Sequence, residues 1–111
     1  MSTAVDEPVE IRAFRGTRQA SVYQELVLRE SSFVRIVLAA GRQRLRTLGS
    51  LDQHGTHELD KAQAQGVAEE VTQLRSSGEL IDVDDDLTAL AELSRWCAHA
   101  REDAWLKIQG P

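Results

Sequence analysis

From Val22 to Arg29 apolar residues alternate with others, and this period of two restricts the segment to a strand with one buried face. Val22, Gln24, Leu26 and Leu28 fall on one side; Tyr23, Glu25, Val27 and Arg29 fall on the other. Glu30-Ser31-Ser32 reads as a turn. Phe33 to Ala40 is rich in β-branched residues and predicts a second strand, with Val34, Ile36 and Leu38 inward and Phe33, Arg35 and Val37 outward. Gly41 permits a tight hairpin turn. A third strand is expected from Arg42 to Leu48, closed by Gly49-Ser50, which completes an antiparallel meander.

Helical spacing follows. Leu59, Ala62, Val67, Val71 and Leu74 predict a helix over about residues 58–75, with Thr56 as its N-cap. Gly78 suits a left-handed C-terminal cap. Leu90, Leu93, Trp96 and Cys97 form the inward stripe of a second helix, over about residues 86–100. Ala104 to Gln109 predicts a last strand, where Leu106 and Ile108 alternate with Trp105 and Lys107. Ile11 to Phe14 reads as a short additional strand, and residues 1–10 as a polar, flexible tail before one domain spanning 11–111. The expected class is α+β, a three- to four-stranded antiparallel sheet with two helices on one face, in the order β-β-β-α-α-β.

Charge is divided unevenly along this framework. Residues 11–49 hold eight arginines against two glutamates, a net +6, within a chain of net charge −5. If Val34, Ile36 and Leu38 face inward, the arginines of the meander must face outward, because burying them unpaired is costly. The expected binding surface is therefore an open sheet face of Tyr23, Val27, Arg29, Phe33, Arg35, Arg42, Arg44 and Arg46. Such a mixture of arginine, aromatic and aliphatic groups suits an acidic protein partner or self-association; the alternative is nucleic acid. The acidic total argues against indiscriminate polyanion binding.

Motifs for chemistry are weak. Asp82-Val-Asp-Asp-Asp86 invites a calcium reading, but a loop begun at Asp82 places Leu87 where the sharp turn needs Gly and Leu93 where a bidentate Glu belongs. The run is better read as the acidic start of a helix. His54 and His57, like Cys97 and His99, are spaced as ligand pairs, yet they lie on separate elements, and a zinc site is not expected. Cys97 lies on an apolar stripe, the setting of an inert thiol. No phosphate-binding glycine loop or nucleophile elbow occurs. Neither catalysis nor a cofactor is expected.

With one cysteine there is no intrachain disulfide, so a reducing, cytoplasmic setting is expected. No stretch reaches the ~18 apolar residues of a membrane span. Eleven arginines to two lysines fit a bacterial source of high GC content. The resulting expectation is a small regulatory or inhibitory binding module.

Overall fold

A computed structural model describes residues 7–16, 21–52 and 54–111. Strands β1 (Pro8–Arg15) and β2 (Ser21–Arg29) lead into helix α1 (Glu30–Arg42) and a short helix α2 (Arg46–Gly49). Strand β3 (Thr56–Leu59), helix α3 (Lys61–Ser77), a 3-10 turn (Ile81–Val83), helix α4 (Asp84–His99) and strand β4 (Ala104–Gln109) follow. The four strands form one antiparallel sheet in the order β2-β1-β4-β3. The α+β class and the antiparallel sheet agree with the sequence reading; the element order does not.

The largest correction concerns Phe33 to Leu48. Phe33–Ala40 is the body of α1, and Arg42–Leu48 spans the end of α1 and most of α2, so the expected meander does not form. The physical reason lies in the spacing. Phe33, Ile36, Ala39 and Ala40 are buried at intervals of three and four, whereas Leu38, expected inward, is exposed. β-branched residues only slightly disfavour a helix, and one buried stripe of this kind outweighs that preference. Glu30 in the first turn and Arg42 in the last also complement the helix dipole.

β1 takes the central place that the meander was expected to fill. It begins at Pro8, so Pro8, Val9 and Glu10, expected in the tail, are strand; residues 1–6 lie outside the described residues. Val9, Ile11 and Ala13 are fully buried. They share the inward face with Leu28, Leu106 and Ile108, against α1, α3 and α4. All the large helices cover that one face. The opposite face is left to Arg12, Glu25, Lys107 and their neighbours.

Capping explains the helix ends. The side chain of Asp60 accepts from the backbone N–H of Gln63 at 2.8 Å, and the Gln63 carboxamide accepts from the N–H of Asp60 at 2.9 Å. Asp60, not Thr56, is thus the N-cap of α3, in a reciprocal capping box. Gly78 is the left-handed C-cap at φ 71°, as expected. At the end of α1 the Leu45 N–H donates to Ala40 and the Arg44 N–H to Gly41, the paired bonds of a Schellman ending. Here the left-handed position is Arg44, at φ 60°. A side chain there costs roughly 1–2 kcal/mol, partly offset because glycine has more freedom to lose on folding. Arg44→Gly is therefore expected to raise stability by about 0.5–1 kcal/mol, measured by urea unfolding; a loss of stability would contradict this account of the turn.

Candidate interaction surface

The eight residues expected to share one sheet face are distributed over three regions. Tyr23, Val27 and Arg29 are on β2 as expected, but only Val27 and Arg29 keep the expected outer face: Tyr23 turns toward α4, and Val22, expected inward, is 50% exposed. Phe33 is 1% exposed, in the core beneath the sheet. Arg35 projects from α1 and pairs with Asp82 beside the start of α4, its Nη2 lying 2.9 Å from Oδ1. Arg35 thus faces a helix terminus rather than open sheet. Arg42 pairs with Glu79, to which Gln43 also donates. Arg44 sits on the α1–α2 turn and Arg46 opens α2, and both are exposed. The arginines fail to converge because α1 turns with a period near 3.6, so strand parity does not apply to them.

The exposed carboxylates paired with these arginines are shifted. The hydrogen bond from Arg35 holds the Asp82 carboxyl below its ordinary range, and that from Arg42 does the same for Glu79. A carboxyl lowered by folding contributes stability that is complete above its unfolded value, about 4, and is lost as pH falls through the folded value. Asp82→Asn is accordingly expected to flatten the loss of stability below about pH 4, as followed by thermal unfolding at low salt. An unchanged acid limb would show that the pair does not couple to folding.

Beside Val27 and Arg29, the open sheet face is built by residues outside the expected set. Phe14 on β1 stacks against Trp105 on β4, with ring centroids 4.3 Å apart and an interplanar angle of 12°. Arg12 lies one rung along, bonded to Glu10 at 2.8 Å and Glu25 at 2.9 Å. Pairing register adds Lys107 and Glu58 to this face. Its acids and bases therefore interleave, and it is not a basic surface. The parity of Ile11/Ala13 against Phe14, and of Leu106/Ile108 against Trp105, is the sequence signal that places both aromatics outward.

At the far end of β2 the pairing slips between Ala13 and Phe14, which face Gln24 and Val22 respectively. Tyr23 is the extra residue of this bulge. Its ring stacks on Trp96 of α4 at 3.9 Å and 3°, while the Arg15 guanidinium lies 4.8 Å above it. The bulge so locks the end of β2 to the helical layer.

Among the described residues β2 pairs only with β1 and forms one edge of the sheet. Val22 is 50%, Tyr23 43% and Val27 51% exposed. Beside this edge runs a groove of about 490 Å³ whose lining includes Val27, Arg29, Ser32, Arg35, Asp82 and Val83.

The residues considered for metal or nucleophilic chemistry are dispersed. His57 lies on β3, where its Nε2 accepts from the Asp52 N–H at 3.1 Å, and Cys97 lies in α4. Burial pushes the Cys97 thiol up to about 11, which keeps it protonated at neutral pH. Asp84, Asp85 and Asp86 occupy the first turn of α4, two residues earlier than expected, and Asp84 pairs with Arg75 at 2.8 Å. Among the described residues no helix is long and apolar enough to cross a membrane. No family model, curated protein or solved structure matches the chain.

Proposed function

We propose that the chain is a small cytoplasmic binding module that acts through a protein partner rather than by catalysis, in a regulatory or inhibitory role. One observation carries this reading: Val22, Tyr23 and Val27, three of the large apolar residues most exposed to solvent, all lie on the free edge strand β2. Exposed apolar groups clustered on an unpaired strand edge favour association, because the backbone there offers unused hydrogen-bonding groups beside a hydrophobic surface. A single buried cysteine fits the reducing compartment in which we place it.

Nucleic acid is the weaker alternative. Arg12, Arg15, Arg35, Arg42 and Arg75 each pair with a carboxylate. Those pairs would have to break before their arginines could engage phosphate. Arg44 and Arg46, without side-chain partners among the described residues, are the groups that favour this alternative. The two readings separate by salt. Phosphate binding weakens steeply as salt rises, whereas a partner held by Val22 and Val27 loses little. Capture from extracts of the source cells, with and without nuclease, is expected to retain a partner at physiological salt that Val27→Lys releases. Binding that nuclease abolishes and Arg44→Glu plus Arg46→Glu removes would overturn the protein-partner reading.

A further inference from the structure

We infer that the partner of the β2 edge is a second copy of this chain, paired strand to strand about a two-fold axis at Val27. The inference rests on the protein-binding reading above and deepens it. Three constraints lead to this register.

The first is backbone phase. The Glu30 N–H donates to the Glu7 carbonyl across the β1–β2 pair, at 3.0 Å. Antiparallel strands alternate the direction of their N–H and C=O groups, so Leu26 and Leu28 also turn toward β1. The same phase on the other side of β1 is seen in the Gly16 N–H donating to Asp103, at 2.6 Å. It follows that Glu25, Val27 and Arg29 turn their N–H and C=O groups to the free edge. A second antiparallel strand can bond only to these three.

The second constraint is length. The bulge at Tyr23 ends the regular part of β2, which leaves Gln24 to Arg29 as the straight, pairable edge.

The third is charge. Glu25, Val27 and Arg29 share the outer face, because their β1 partners are Arg12, Glu10 and Pro8, of opposite parity to the buried Val9 and Ile11. A two-fold centred on Glu25 sets two glutamates against each other, and one centred on Arg29 sets two arginines together. Centred on Leu26 or Leu28, it opposes a charge to Val27. Centred on Val27, it sets Glu25 opposite the Arg29 of the other copy, twice over, and packs Val27 against its counterpart. Arg29 has no ion pair among the described residues, so it is available, and Glu25 already accepts from Arg12 at 2.9 Å. The symmetric pair would thus extend that bond into an Arg12–Glu25–Arg29 row on each side. Leu26 would meet Leu28 of the other copy on the inner face. The product is a continuous eight-stranded sheet.

Sedimentation across the micromolar to millimolar range tests this, because a short strand-edge contact of this size gives a weak, concentration-dependent dimer. Val27→Pro removes an outward N–H that β1 does not use, so the monomer keeps its sheet and self-association is expected to weaken by about tenfold or more. Arg29→Glu and Glu25→Lys, each alone, place like charges opposite one another and are expected to weaken it by a similar factor. Mixing the two charge variants restores opposite charges at both sites and is expected to recover a heterodimer. Circular dichroism checks that each variant is folded. A chain that stays monomeric throughout overturns the inference, as does a dimer indifferent to Val27→Pro and the charge changes. A monomeric chain that nevertheless holds a different protein, released by Val27→Lys, overturns self-pairing while leaving the binding-module reading in place.

Discussion

Phe33→Ala is expected to destabilise the protein by about 3–5 kcal/mol, the range for truncating a buried aromatic side chain. Phe33 is among the largest fully buried side chains, and it sits one turn before Ile36 on the stripe that attaches α1 to the core. Truncation leaves a cavity between that helix and the sheet, in a close-packed region that can only partly collapse. Phe33→Leu retains most of the volume and is expected to cost less than half as much. Equilibrium urea unfolding of both variants measures the effect. A Phe33→Ala cost near about 0.5 kcal/mol, typical of exposed positions, would return Phe33 to the surface and remove α1 from the core.

The same residue shows where sequence patterning becomes ambiguous. In Phe33 to Ala40 the buried set under period two is Val34, Ile36 and Leu38; under the helical period it is Phe33, Ile36 and Ala40. Ile36 belongs to both, and the β-branched residues tip a local reading toward strand. What decides the matter is non-local. β1 and β4 already supply two central strands, each buried on one face, so the remaining apolar surface of the sheet needs a helix to cover it. β2, β4, α4 and the glycine cap of α3 were legible because each carries an uncontested local signal. Those signals are alternation at Leu26/Leu28 and Leu106/Ile108, helical spacing at Leu90/Leu93/Cys97, and a left-handed turn at Gly78.

Strand parity across Phe33–Leu48 puts Arg35, Arg42, Arg44 and Arg46 on one face. In the helix they disperse, and two of them meet acids at the entrance of α4. Val27 and Arg29 keep their expected face because β2 is a strand under either reading, whereas the bulge turns Tyr23 onto Trp96 of α4. The Phe14–Trp105 stack was accessible to parity but not to composition, since it joins residues 91 positions apart in the chain. Self-pairing at Val27 was beyond reach from sequence, because it depends on which backbone groups β1 leaves unused.

Glu70→Ala is expected to cost about 2–3 kcal/mol, although Glu70 is neither core nor part of the interaction surface. Its Oε2 accepts from the Thr47 N–H at 3.1 Å and its Oε1 from the Leu48 N–H at 2.8 Å. These N–H groups open α2, which has no side-chain cap of its own. A four-residue helix cannot sustain itself, so the carboxylate of α3 substitutes for the missing cap. Bonds to an ionised acceptor are worth more than neutral ones, and partial solvent access lowers their worth. The contact also requires α2 to lie close to α3. Gly66 permits this: a β-carbon there would stand 2.8 Å from the Thr47 hydroxyl. Glu70→Gln keeps one accepting oxygen and presents an amide donor to the other N–H, so its expected cost lies between wild type and Glu70→Ala. Urea unfolding supplies the energies, and amide hydrogen exchange at Thr47 and Leu48 locates them. If Glu70→Ala unfolds within about 0.5 kcal/mol of wild type, Leu48 alone anchors α2 through its buried side chain, and the carboxylate is incidental.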